Sequence, residues 1–389
     1  VLTRQIDSPA GCVTLRVIRK TAEADRVKRV MRLYVLRMGI ILAGAAAVLA
    51  IPATMVLGNQ RVTSTTVTSA SAVVDRSRDD DERRAALANR VPAATHAPTI
   101  TPGAAAPASS ALPSPAAPLG AVPAFSHVFV IVMENHEYGT IIGSSAAPYI
   151  NRLAAGNGLA TNYYAASHPS LPNYLALTAG STFGIASDCT TCFVNTTNIA
   201  DQLEASGRSW KAYMEDMPTP CYLGPWSGNY AMKHNPFMYF TDIRGNAARC
   251  ADHVVPFTQF GADMTRGQVA NFVWITPNMC NDMHDCGVAT GDAWLAKVVP
   301  TIIASAAFRN GGVLFVTWDE GSTNAGCCAG AWGGHVATLV ISSRSISGFR
   351  STVAENHYSL LRTIEDAFRL AHLGAAGWSS NTAMREYFR

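Results

Sequence analysis

The stretch HVFVIVMEN, residues 127–135, is an unbroken apolar run rich in β-branched residues that ends on a glutamate and an asparagine. A strand with one wet face alternates apolar and polar side chains. This run does not, so it reads as a strand covered on both faces, as in a parallel sheet. Three further runs share its character: NFVWITPN at 271–278, GGVLFVTWDE at 311–320 and HVATLVIS at 335–342. Helical patterns lie between and after them, the clearest at 293–306 and 358–370. Strands alternating with helices predict an α/β fold with a mainly parallel central sheet and helices on both faces. Ligands of such sheets collect at the carboxyl ends of the strands. Those ends carry Glu134 and Asn135 after the first run, 278–285 after the second, and Asp319 and Glu320 after the third.

Adjacent carboxylates at the end of so apolar a run need a positive partner, because an unpaired buried charge is costly. The economical partner for Glu134, Asn135, Asp319 and Glu320 is a hard divalent cation such as Ca²⁺, Mg²⁺ or Mn²⁺, with zinc or iron open if histidines join. The competing reading pairs the carboxylates with arginines or sets them as helix caps. In HPSLPNYLAL, 168–177, Pro172 suits the first turn of a helix, whose unpaired N–H groups favour an anion. Ser170 at that start, beside a metal, is a candidate nucleophile, and Asn173 a candidate donor to the same phosphate. An ordinary Ser N-cap is the plain alternative. NDMHDCG at 281–287 supplies Asp282, His284 and Asp285, KHNPF supplies His234, and GGH supplies His335. Each is a candidate second-metal ligand, phosphate ligand or leaving-group acid. His168 and His357 read equally well as caps or buttresses of helices.

The formal net charge of +3 hides a split. Residues 1–123 hold 15 Lys+Arg against 8 Asp+Glu, and residues 124–389 hold 15 against 19. Nothing in the second part resembles a basic stripe with interleaved aromatics, which excludes nucleic acid as the expected partner. The basic excess flanks MGIILAGAAAVLAIPATMVLG at 38–58, 21 residues without a charge. This reads as an export signal that reaches the ~20 residues needed to span a bilayer, with 1–37 as a basic cytoplasmic segment. The small-x-small site at Ala70-Ser71-Ala72 lies far beyond the apolar run, which favours an uncleaved anchor over a cleaved signal peptide. The catalytic domain is then extracellular on the cell membrane, or secreted if the signal is cut. Met31 opens a conventional basic leader, MRLYVLR, so translation from there would omit residues 1–30. Residues 59–123 are rich in Ala, Pro, Ser and Thr and read as a disordered stalk before a catalytic domain at 124–389. Eight of the nine cysteines follow the apolar segment, an even number that suits an oxidising compartment and four disulfides. Local pairing would join Cys189 to Cys192, Cys221 to Cys250 and Cys280 to Cys286, although spacing alone does not choose among connectivities.

Eight motifs in order, ENHEYGTIIG, HPSLPNYLALTAG, KHNPF, PNMCNDMHDCG, GDAWL, TWDEG, GGHV and HYSLLRTIEDAF, resemble the bacterial phosphoesterase family of acid phosphatases and phospholipases C. The likeness spans about 125–370 and is nearest to the secreted mycobacterial acid phosphatases that act on phosphatidylinositol 3-phosphate. It implies an alkaline phosphatase-like fold and a phosphomonoesterase with a phosphoserine intermediate on Ser170, assisted by a divalent metal. It also implies Asn173 as a phosphate ligand and Glu134, Asn135, Asp319 and Glu320 as a first metal site. Asp282, His284 and His335 fall where that superfamily places second-metal or phosphate-binding groups. Sulfatases carry an arginine after the proline element, and Asn173-Tyr174 departs from it. Glu320 stands where two-metal relatives carry histidine, which tells against a second metal. Two alternatives stay open: a phospholipase C-type phosphodiesterase, and a metal-independent acyl hydrolase built on Ser170, His335 and Asp319.

Overall fold

The computed structural model describes residues 120–389. The segments read from the sequence as a cytoplasmic segment (1–37), an anchor (38–58) and a stalk (59–123, up to residue 119) lie outside the described residues. Among the described residues no helix is long and apolar enough to cross a membrane.

Eight strands form the main sheet: β1 (His127–Met133), β2 (Gly158–Ala160), β3 (Trp210–Met214), β4 (Val254–Pro256), β5 (Phe272–Thr276), β6 (Gly312–Trp318), β7 (Thr338–Ile341) and β8 (Arg350–Ser351). Their spatial order is β8-β2-β7-β6-β1-β5-β3-β4. Every neighbouring pair is parallel except those of β7, which runs antiparallel to β2 and β6. The four apolar runs of the sequence are β1, β5, β6 and β7. The first three are mutual neighbours at the centre, with Met133 opposite Trp318 and Ile131 opposite Ile275. Consecutive residues of a strand point to opposite faces, and Val128 to Met133 are all 0 % exposed, so the sheet is covered on both sides. That explains why no alternation is visible in these segments.

Four helices matter for the site: α1 (Pro148–Gly156), α2 (Ser170–Ala179), α3 (Val288–Ile303) and α4 (His357–Phe368). α2 packs on α4, and α1 on α3. Every residue of α2 is buried, which fits its apolar sequence after Asn173. It stops at Gly180, whose φ of 68° is the left-handed conformation that glycine adopts without a Cβ penalty. A Cβ there would also lie 2.1 Å from the Leu373 carbonyl oxygen. Four disulfides tie the loops: Cys189–Cys192, Cys221–Cys250 and Cys280–Cys286 as local pairing suggests, and the adjacent Cys327–Cys328.

Candidate active site

The parallel run of β1, β5 and β6 brings three chain segments to one rim. The Glu134 N–H donates to the Asp282 carbonyl at 2.9 Å, and the Asp319 N–H donates to the Met133 carbonyl at 2.8 Å. The Asn135 N–H donates to Asp319 Oδ1 at 3.0 Å. Asn135 takes a φ of 53°, a strained choice for a non-glycine residue that re-aims the chain as it leaves the strand.

On this rim Glu134, Asp282, Asp319 and Glu320 are all 0 % exposed. His234 joins them from the segment before β4. Its Nε2 lies 3.3 Å from Glu134 Oε2 and its Nδ1 3.3 Å from Asp282 Oδ2. Burial, compounded by the charges of Asp319 and Asp282, pushes the Glu134 carboxyl well above its usual range. Burial and the Asp319 charge likewise raise Asp282. Asp319 is pushed up to about 7 by burial and by the neighbouring Glu320. Burial, then the Lys233 and His284 charges, hold His234 well below the ordinary histidine value.

These side chains fit a divalent cation. One oxygen or nitrogen each from Glu134, His234 and Asp282 lies within 4.8 Å of the others. A neutral imidazole donates from one nitrogen only, so it cannot donate to both of the carboxylates it faces. Asp282 Oδ2, Asp319 Oδ2, His234 Nε2 and Asn135 Oδ1 are buried without a hydrogen-bond partner, an arrangement that a cation resolves.

Ser170 opens α2 directly onto this cluster. Its Oγ donates to Glu134 Oε2 at 3.1 Å, and the cap position belongs to Pro169, so Ser170 is not an ordinary N-cap. Tyr174, one turn along the same face, donates its hydroxyl to Glu134 Oε1. Gly333 lets the segment before β7 press against the loop that leads to Ser170, since a Cβ there would lie 2.3 Å from the Ser167 carbonyl oxygen.

Other residues singled out in the sequence sit differently. Asn173 does not present its amide to the cluster. Its Nδ2 donates to the carbonyls of Ser167 at 2.8 Å and Pro169 at 3.1 Å, and its Oδ1 accepts from the Ser167 N–H at 2.8 Å, so it shapes the loop instead. Glu320 is engaged by His168 Nδ1, whose Nε2 faces the Thr323 carbonyl oxygen at 2.9 Å. His335 stacks between Tyr138 and Tyr164 and faces the Thr161 carbonyl through Nε2 at 3.0 Å. Among the described residues no hydrogen bond joins it to Ser170 or to Asp319, so the acyl-hydrolase triad is not assembled. His357 is a buttress, with Nε2 2.5 Å from the Asp319 carbonyl oxygen and Nδ1 3.1 Å from the Tyr163 hydroxyl. His284 stands beside the cluster, its ring 5.6 Å from that of His234, with Nδ1 2.8 Å from Asp285 Oδ1 and Nε2 3.2 Å from Lys233 Nζ. An ammonium only donates, so Nε2 accepts here and the Nδ1–H goes to Asp285. Glu134, assigned from the sequence to the first metal site, lies within 4.8 Å of His234 and Asp282, assigned there to a second metal or the phosphate.

Tyr174, Lys233 and Asp188 were missed by sequence reasoning. Tyr174 was findable from its i+4 spacing to Ser170. Lys233 and Asp188 carry no spacing signal toward the rim.

A serine hydroxyl poised at a helix start over a buried acid cluster, at the carboxyl rim of a largely parallel sheet, marks the chain as an enzyme of the phosphate-ester hydrolase class. The phosphoesterase family profile matches residues 144–371, and the chain belongs to that family. It is 34% identical over 271 residues to a phosphatidylinositol-3-phosphatase of Mycobacterium tuberculosis, a match covering 68% of this chain and 84% of the relative. It is 28% identical to a probable acid phosphatase of Kluyveromyces lactis, over 66% of this chain and 62% of that one. An acid phosphatase of Aspergillus fumigatus is 27% identical over 64% of this chain and 56% of its own length, so the chain spans little more than half of these fungal relatives. Among solved structures, a member of the alkaline phosphatase superfamily from Vibrio parahaemolyticus superposes with a TM-score of 0.47 at 15% identity, covering 65% of this chain and 70% of that one. A likeness of that size decides nothing about the site.

Proposed function

We propose that the chain is an exported acid phosphatase that hydrolyses phosphomonoesters through a phosphoserine on Ser170. The observation that carries this reading is the hydrogen bond from Ser170 Oγ to buried Glu134 at the first turn of α2. Ser170 Oγ attacks phosphorus as its proton passes along the existing hydrogen bond to Glu134, and the bond from phosphorus to the leaving oxygen breaks. Protonated His284, oriented by Asp285, delivers its proton to that oxygen and is left neutral. Water then attacks the phosphoserine and gives a proton back to His284, Glu134 returns its proton to Ser170 Oγ as that oxygen leaves, and inorganic phosphate is released. Glu134, His234, Asp282, Asp319 and the Asn135 amide oxygen would hold the divalent cation, which when bound neutralises the carboxylates and polarises the seryl and phosphoryl oxygens.

Phosphatidylinositol 3-phosphate is the substrate we favour, on the strength of the 34% identical relative of that name. Export rests on the apolar run at 38–58 and its basic flank, and four disulfides suit an oxidising compartment. Turnover of p-nitrophenyl phosphate, bis-p-nitrophenyl phosphate and p-nitrophenyl acetate, with and without chelator, tests the reading. The monoester should be cleaved fastest and chelator should abolish it. Preference for the diester would make the enzyme a phosphodiesterase, and chelator-resistant cleavage of the acetate would make it an acyl hydrolase. A screen of phosphoinositides, nucleotides and sugar phosphates then tests the lipid assignment.

A further inference from the structure

A lysine lies buried at the edge of a cluster of acids yet is paired elsewhere. Lys233 is 5 % exposed in its side chain, and its Nζ donates to Asp188 Oδ2 at 2.9 Å. The other oxygen of that carboxylate, Oδ1, accepts the Leu171 N–H at 2.9 Å. Leu171 directly follows Ser170, so one carboxylate ties the ammonium to the backbone beside the seryl oxygen. Asp188 comes from a different part of the chain, immediately before Cys189, whose disulfide to Cys192 closes a tight loop. The Lys233 ammonium also reaches His284 Nε2 at 3.2 Å, and its charge is felt at Glu134, Asp282 and His234.

A carboxylate outside the rim, that of Asp188, holds the ammonium. Burying an ion pair is costly unless further hydrogen bonds satisfy it, and the Leu171 N–H does so for Asp188. The result is a cation fixed between the helix start that presents Ser170 and the ring of His284.

We propose that Lys233 is the phosphoryl-binding cation of the site and that Asp188 is the positioning residue that holds it beside Ser170. This assignment rests on the phosphomonoesterase reading. Substrate phosphoryl oxygen takes a hydrogen bond from the ammonium while Asp188 continues to hold it. Asp188 keeps its contact with the Leu171 N–H throughout and touches no substrate atom.

The test is a double-mutant cycle in the intact chain with Asp188→Asn, Lys233→Met and the pair together, alongside Lys233→Arg. Kinetics on p-nitrophenyl phosphate are read together with orthophosphate binding by calorimetry, and near-ultraviolet circular dichroism monitors the fold. Each single change should lower kcat/KM and weaken orthophosphate by at least about tenfold, the scale of one charge-assisted hydrogen bond. The double variant should be no worse than Lys233→Met within about threefold, because Asp188 acts only through the lysine. Lys233→Arg should retain more orthophosphate binding than Lys233→Met. Multiplying effects in the double variant would overturn the assignment. So would tighter orthophosphate binding in Asp188→Asn, which would make that carboxylate a competitor of substrate. Calorimetry needs no turnover, so a parent protein that binds orthophosphate through Lys233 but cleaves no monoester would count against the proposed reaction and not against this cation.

Discussion

Asp319 is wholly buried, with one carboxylate oxygen on the Asn135 amide and the other unpartnered beside Glu134 and Glu320. Three acids so close repel one another unless a cation joins them or protons neutralise them. Asp319→Asn relieves part of that repulsion and removes one of the proposed ligands. Without added metal the variant should melt no lower than the parent. With Mg²⁺, Mn²⁺ or Zn²⁺ titrated in, the parent should gain thermal stability by mass action and the variant should gain much less. Equal gains in both proteins would remove Asp319 from the metal site. At this scale the sequence was partly legible. Glu134, Asp282, Asp319 and His234 stand out as polar residues ending apolar runs or sitting in compact motifs. The partners that redirect Glu320 and His335 come from remote loops, and spacing along the chain carries no trace of them, whereas Asn173 is turned by Ser167 and Pro169 of its own loop.

At the scale of the element, α4 shows how a helix next to the site carries its own pH response. Asn356 caps it by accepting the Ser359 N–H, and His357 at its first position reaches back to the Asp319 carbonyl. Near its end Glu365 is buried, with Oε1 accepting the Leu373 N–H at 2.8 Å and Oε2 without a partner. Burial pushes its carboxyl up from 4.5 to about 8. The sign follows from proton binding: between those values the folded chain holds a proton that the unfolded chain has lost. Its stabilising contribution is therefore complete below pH 4.5 and is lost as pH rises through about 8. Glu365→Gln keeps the acceptor and removes the titration, so melting temperature measured across that range should fall less steeply in the variant than in the parent. A parallel pair of curves would contradict the assignment.

The same scale shows where reading the fold from sequence succeeds and where it stops. β1, β5 and β6 were legible because central strands covered on both faces must be continuously apolar. β7 was legible as a strand but not in direction, since an apolar run carries no mark of whether it pairs parallel or antiparallel. β2, β4 and β8 have three, three and two residues, too short for a pattern to rise above the surrounding loops. β3, WKAYM, is interrupted by Lys211, which is held by Asp263 at 2.9 Å. An ion pair that makes a lysine tolerable in a strand cannot be inferred from the strand itself.

At the scale of the whole molecule, a sheet with three parallel central strands sets three loops on one rim, and a buried helix delivers a hydroxyl to them. The proposed turnover depends on that hydroxyl forming a bond to phosphorus. The direct measurement is to mix enzyme with p-nitrophenyl phosphate, quench in neutral denaturant within one turnover, and map the phosphorylated peptide by mass spectrometry. A phosphoryl group should be found on Ser170 and be absent from Ser170→Ala, which should keep its fold while losing turnover by several powers of ten. A phosphoryl group on a histidine, or Ser170→Ala that still turns over at the parent rate, would contradict it.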